Sequence, residues 1–135
     1  MNTAATPAAP ATPSVPSPGQ SELLANRFCG LELASPIVLL SGCVGFGEEY
    51  TRVAGFSNRD VGAIVLKGTT GAPRLGNPPH RLAETAWGLL NAIGLQNPGV
   101  DQVVRAILPA LDFTETRFFA NACGSTIEEY VEVTR

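Results

Sequence analysis

Polar residues capable of chemistry stand directly behind apolar runs at separated points of the chain. Ser41 and Gly42 follow Ile37-Val38-Leu39-Leu40, Lys67 follows Ala63-Ile64-Val65-Leu66, and Asn121 follows Phe118-Phe119-Ala120. A hydroxyl, an ammonium and a carboxamide gathered at strand ends form a rim of hydrogen-bond donors for one polar or anionic ligand. A lysine that ends a strand is also a common solvated cap, so the set carries the reading and no single residue does.

Another group is Asn91-Ala92-Ile93-Gly94-Leu95-Gln96-Asn97-Pro98-Gly99, with three amides and two glycines in nine residues. Amides recognise amide-like edges and carboxylates without adding charge, which suits a planar, imide-bearing substrate. The same residue types also build plain turns. Gly42-Cys43-Val44-Gly45-Phe46-Gly47 has the glycine density of a nucleotide-binding turn, but its order is G-x-x-G-x-G and no acidic residue ends the second strand. Neither the dinucleotide fingerprint nor a Walker loop is present.

The elements that must position these groups alternate. Arg27 to Leu33 reads as a small hairpin around Gly30. Ile37 to Leu40 reads as a strand apolar on both faces, of the kind that helices cover in a parallel sheet. A glycine-rich turn, Gly42 to Gly47, then leads to a short helix over Glu48 to Ala54, and Gly62 to Lys67 is the next strand. The stretch from Gly68 to Gly99 reads as one long functional loop. Val100, Val103, Val104, Ile107, Leu108 and Leu111 have the spacing of an amphipathic helix. Arg117 to Ala120 is a third strand. Ser125-Thr126-Ile127-Glu128 reads as a capping box opening a last helix. Strands alternating with helices imply a parallel sheet with right-handed crossovers, either an open doubly wound sheet or part of a (β/α)8 barrel. Ligand sites of both lie at the carboxyl ends of the strands.

Residues 1–22 differ from the rest in their Ala, Pro, Thr and Ser content and read as a disordered, solvated tail. They lack the basic start and continuous apolar core of a secretory signal. Residues 23–135 then form one domain. The net charge is −3, with 44% hydrophobic and 16% charged residues, which gives no electrostatic footprint for nucleic acid or an anionic membrane. Cys29, Cys43 and Cys123 are widely spaced and His80 is the sole histidine, so no metal-ligand spacing occurs and reduced thiols in the cytoplasm are expected.

Ser41-Gly42-Cys43-Val44-Gly45-Phe46-Gly47-Glu48-Glu49-Tyr50, Lys67-Gly68-Thr69-Thr70, Arg74-Leu75-Gly76-Asn77-Pro78, Glu84-Thr85 and Asn91 to Gly99 occur in an order that resembles the N-terminal half of class 1 dihydroorotate dehydrogenases. Gly-Phe-Gly-Glu-Glu-Tyr and Asn-Ala-Ile-Gly-Leu-Gln-Asn-Pro-Gly are most similar to the class 1B branch. The resemblance implies a (β/α)8 barrel with FMN at its mouth, preceded by the hairpin, and oxidation of dihydroorotate to orotate in pyrimidine biosynthesis. It places Ser41, Gly42, Lys67, Thr69 and Asn121 against the flavin, and Lys67, Asn91, Ile93, Gly94 and Leu95 against the substrate. It further implies a homo-oligomer and an iron–sulfur flavoprotein partner that passes electrons to NAD.

Departures from the family pattern are Gly68, where a small side chain is usual, and Ala86-Trp87-Gly88-Leu89, where class 1B relatives commonly have Pro-Ala-Gly-Met. Cys123 does not match the family's catalytic base, which is expected beyond Arg135 with the FMN phosphate clamp. On that ground the chain is expected to be an incomplete, inactive and aggregation-prone part of a barrel. Two alternatives remain: a related FMN-dependent dihydropyrimidine oxidoreductase, and a non-catalytic assembly module.

Overall fold

The computed structural model describes residues 24–135. The tail expected over residues 1–22 lies outside them. The first ordered unit is an antiparallel hairpin of β1 (Asn26–Phe28) and β2 (Leu31–Leu33). Cys29 and Gly30 both take positive φ, 48° and 81°, as the tight turn between two right-twisted strands requires.

Three short strands form the parallel sheet, in the order β3 (Val38–Leu39), β4 (Ala63–Val65), β7 (Arg117–Phe119). The register pairs Leu39 with Ile64 and Ile64 with Phe118. Central β4 is the buried one, with Ala63 and Ile64 almost inaccessible. On its core side Val44, Phe46, Val61, Ile64, Leu66 and Val103 make one cluster, flanked by Leu39, Phe56, Ile107, Leu108, Leu111 and Phe118. β3 departs from the expectation of burial on both faces: Ile37 is 53% and Leu40 62% exposed. It is an edge strand here, paired on one side alone.

The helix expected over Glu48 to Ala54 is only a 3-10 turn, Tyr50–Arg52, and the helical turn that does form, α1, starts at Ser41 and ends at Val44. The Glu49 carboxylate folds back to accept from the Phe46 N–H at 3.0 and 3.2 Å, and Val53 is already extended, so no helix propagates. A second 3-10 turn, Asn58–Asp60, carries a reciprocal capping box between Ser57 and Asp60.

The stretch from Gly68 to Gly99 is not a structureless loop. It holds an antiparallel hairpin of β5 (Leu82–Thr85) and β6 (Gly88–Asn91), with Leu82 opposite Asn91 and Thr85 opposite Gly88. Ala86-Trp87 forms the link, and neither residue carries the Asn-Gly type of signal that marks a hairpin in a sequence. The turn is closed instead by Thr85, whose hydroxyl accepts from the Trp87 N–H at 3.3 Å and donates to the Gly88 carbonyl at 3.1 Å.

The amphipathic segment is helical but irregular. α2 (Val100–Gln102) passes into a π turn, Val103–Ile107, and a 3-10 turn, Leu108–Ala110. Pro109 has no N–H to continue an α ladder, and the Leu108 N–H bonds back to Val103. Val104, within the widened turn, is 54% exposed, although its spacing assigns it to the core. The last helix, α3 (Ile127–Val133), is capped by Thr126 and not Ser125; the Thr126 hydroxyl accepts from Glu129 N. Two overlapping cap signals occur in the sequence, and the one whose glutamate also meets a cation from a distant segment is used. Among the described residues no helix is long and apolar enough to cross a membrane.

Candidate functional site

The parallel register brings the three strand ends to one level, and the chain beyond β3 and β4 meets the chain beyond β6 in a cleft of about 580 Å³. Ser41, Gly42, Gly45 and Phe46 line it from α1 and its following turn, Lys67 from behind β4, and Ile93, Gln96 and Asn97 from the arch after β6. That volume is in the range of small-molecule and cofactor sites. A depression of similar volume, about 530 Å³, is lined by Ile127, Glu128, Val131, Glu132 and Arg135 around α3 alone. It gathers no groups from separate elements, so the first cleft is the candidate site.

Hydrogen bonds stitch the strand ends together. The Asn121 side-chain amide donates to Ser41 Oγ at 3.0 Å, across the whole sheet. The Cys123 thiol lies 3.6 Å from the Asn121 amide oxygen. Beyond β4 and β7 the pairing continues, with the Thr69 N–H donating to the Asn121 carbonyl and the Cys123 N–H to the Thr69 carbonyl. The Lys67 N–H donates to the Gly45 carbonyl at 2.7 Å, which draws the glycine-rich turn over the lysine. Lys67 is half-buried, and none of the described ion pairs includes it. An ammonium on a cleft lining without a described counter-charge favours an anionic or electron-rich ligand.

The other sequence-selected residues are placed as follows. Thr69 is buried, and its hydroxyl donates to the Lys67 carbonyl at 3.0 Å, an inward contact that fixes the backbone under the lysine. Ile93 lines the cleft. Asn91 sits on β6, exposed and opposite Leu82, outside the cleft lining. Gly94 has φ 78°, and a Cβ there would lie 2.7 Å from the Asn77 backbone nitrogen, so the arch closes only with glycine. Leu95 follows with φ 53°, an uncommon left-handed conformation for a residue with a side chain. Asn97 is not free to meet a ligand; its amide is consumed inside the fold. Trp87, on the tip of the β5–β6 hairpin, is 98% exposed and touches none of these groups.

Gly68 lies at the junction of the two residue groups. A Cβ at this position would sit 2.8 Å from Cys123 Sγ, 3.5 Å from Asn121 Nδ2 and 3.7 Å from Leu95 Cδ2. The Cys123 sulfur thus fills space that a side chain at position 68 would take. Gly68→Ala is expected to lose about 1 kcal/mol of stability through overpacking. Cys123→Ala in the same chain should restore most of it, and additive losses in urea titrations of the singles and the double would count against the contact.

Two charged residues absent from the sequence-based selection hold the cleft wall. Arg74 donates to Ser125 Oγ at 2.9 Å and to both Glu129 oxygens at 3.0 and 3.1 Å, which ties the segment behind β4 to α3. The Ser125 N–H also donates to Glu129, at 2.7 Å. This backbone bond, then the Arg74 contacts, hold the Glu129 carboxyl below its ordinary range. A depressed folded value means that the contact contributes above the ordinary glutamate range and is lost as pH falls through the folded value. Thermal midpoints followed downward from neutral pH should therefore fall more steeply for the unsubstituted chain than for Glu129→Gln, and parallel curves would remove the linkage. Glu49, which caps the glycine-rich turn, is the other. Both lie in strings quoted above for their resemblance, but nothing in their spacing announces a partner.

All three cysteines are free thiols, and no group of three or more His, Cys, Asp or Glu side chains among the described residues could hold a metal ion. A parallel sheet in an α/β chain, with a cleft at the carboxyl ends of its strands, defines the class of protein. The family model described as dihydroorotate dehydrogenase matches residues 23–135, and the chain belongs to that family. It is 54% identical over 110 residues to the catalytic subunit of dihydroorotate dehydrogenase B (NAD(+)) of Bacillus caldolyticus, covering 82% of this chain and 34% of the relative. The similarly named subunit of Listeria welshimeri is 51% identical over 110 residues, covering 82% of this chain and 36% of that protein. The chain spans about a third of the length of the curated relatives it matches.

Proposed function

We propose that this chain supplies the first strands of an FMN-dependent (β/α)8 barrel that oxidises dihydroorotate to orotate in pyrimidine biosynthesis, in the cytoplasm. The observation that carries the proposal is the convergence of the uncompensated Lys67 ammonium with the Ser41–Asn121 pair at the strand ends.

The residues present fit a flavin. A Cβ at Gly42 would meet nothing within 4 Å, so the backbone beside Ser41 is open to a flat ring, and Ser41 and Lys67 offer polar groups for its edge, with Asn121 orienting the Ser41 hydroxyl from behind the lining. FMN bound there would supply the hydride acceptor. Ser41, Gly42, Lys67 and Asn121 would hold it, with Thr69 supporting the backbone. Ile93, Gly94 and Leu95 would contact the substrate from the arch, with Asn91 approaching from the β6 end. In the reaction a proton leaves C5 and a hydride leaves C6 of dihydroorotate, and the C5–C6 single bond becomes double. The Lys67 ammonium lowers the cost of negative charge accumulating beside it. No base for C5 is assigned among these residues. The partner would be an electron-transfer subunit of iron–sulfur flavoprotein type, which the term catalytic subunit in the relatives' names supports, and the complete protein would be a homo-oligomer.

The test is anaerobic addition of dihydroorotate to the full-length, FMN-loaded protein, followed by the visible spectrum. Bleaching of the flavin band with release of orotate supports the assignment. A flavin that stays oxidised with dihydroorotate but is bleached by a different dihydropyrimidine would reassign the substrate.

A further inference from the structure

We infer that Asn97 is a positioning residue for substrate: its buried carboxamide fastens the Gly94–Leu95 arch to the strand end carrying Lys67. The inference rests on reading the cleft as the orotate site and deepens it.

Asn97 is only 6% exposed. Its Nδ2 group donates to the Leu95 carbonyl at 2.7 Å and to Thr70 Oγ1 at 3.0 Å. Its Oδ1 accepts from the Thr70 N–H at 3.1 Å and the Gly99 N–H at 2.9 Å. The Thr70 hydroxyl sends its own proton to the Ala72 carbonyl at 2.7 Å, which leaves the oxygen free to accept from Asn97. Both amide donors and the amide oxygen are therefore satisfied within the protein, and no capacity is left for a ligand. The main chain at Asn97 is also paired in both directions with Arg74, at 2.9 and 3.0 Å.

The placement of these bonds gives them their consequence. Thr70 lies shortly after Lys67 and is fully buried, so it moves with β4. Leu95 and Gly94 are consecutive residues with positive φ, a conformation that a leucine holds only where surrounding contacts enforce it. The bond from Asn97 Nδ2 to the Leu95 carbonyl is such a contact. Neither the Gly94 nor the Leu95 N–H has a hydrogen-bond partner among the described residues. Two free N–H groups between Ile93 and Gln96, which line the cleft together with Lys67, can receive a carboxylate or a carbonyl edge. Asn97 fixes the distance between those donors and Lys67 without touching the ligand.

Asn97→Asp keeps the shape, removes both donors and sets a carboxylate oxygen against the Leu95 carbonyl. In the full-length protein loaded with FMN, orotate titrated against the visible flavin spectrum should bind about 10- to 100-fold more weakly, the scale of a misplaced binding group. KM for dihydroorotate should rise in proportion while kcat changes much less, because the lost contact serves ground state and transition state alike. FMN content should stay the same. Thr70→Val, which removes only the hydroxyl that Asn97 and Ala72 share, should shift KM in the same direction by less, and it carries the test if the aspartate variant does not fold. Unchanged orotate affinity in a folded variant overturns the positioning role, as does a loss confined to kcat. Absence of any orotate-dependent spectral change in the unsubstituted protein instead overturns the reading of the cleft, and the positioning role with it.

Discussion

Lys67→Met in the full-length, FMN-loaded protein is expected to slow flavin reduction by dihydroorotate about 10²–10³-fold, the scale of removing one preorganised electrostatic group from a water-poor site. Methionine matches the length of the lysine stem and removes only the charge and its donors. The effect should be large because Lys67 is half-buried with its backbone pinned on both sides, by the Gly45 carbonyl in front and the Thr69 hydroxyl behind. The root of the side chain is thereby fixed at the cleft, and no described carboxylate competes for the ammonium when charge develops beside it. Lys67→Arg should recover part of the rate by restoring charge in a bulkier shape. Stopped-flow reduction under anaerobic conditions reads both variants. A loss under about threefold for the methionine variant, well short of a preorganised group's contribution, would show that the lysine is a solvated cap after all.

Gly62→Ala should be strongly destabilising for a single added methyl, at about 3 kcal/mol, the upper end of ordinary overpacking costs. A Cβ at this position would collide with the Ser35 carbonyl oxygen and lie 3.2 Å from Leu33 Cβ. Ser35 and Leu33 are both buried, so neither has room to withdraw. The Gly62 N–H meanwhile donates to the Ile37 carbonyl at 2.9 Å and Ala63 pairs with Val38, which fixes the approach of β4 to β3. The methyl must therefore open the sheet at its start. Against a total stability of about 5–15 kcal/mol, such a loss would be visible as a lower urea midpoint or as insoluble protein. Gly42→Ala is the comparison: nothing lies within 4 Å of its Cβ position, and its stability should change by less than about 0.5 kcal/mol. Equal midpoints for the two variants would count against the packing described for β2, β3 and β4.

The sites and the fold were legible to different degrees. The three strands and their terminal polar residues could be read because each apolar run is continuous and bounded by glycine, proline or a polar side chain. The small hairpin was legible too, from alternation around Gly30. The β5–β6 hairpin was not, since Thr85 closes it with a side-chain contact where a turn dipeptide would have been the signal. Val104 was assigned to the core by its spacing, which presumes a regular helix, and Pro109 makes the helix irregular. Either Ser125 or Thr126 could have capped α3. Thr126 does so, and the Glu129 that it caps is also held by Arg74, far away in sequence.

The roles of the amides divide along the same line. Asn91, Gln96 and Asn97 are equivalent in composition, each an Asn or Gln among glycines and prolines. The structure gives them three different surroundings: Asn91 on an exposed strand, Gln96 on the cleft lining, Asn97 buried with its hydrogen-bonding capacity used. By itself the sequence determined which residues stand at the ends of strands, because apolar periodicity and punctuation are local properties of a chain. Only the tertiary structure decided which polar groups face the cleft and which hold its walls, because a hydrogen-bond partner tens of residues away is fixed by packing and leaves no local trace.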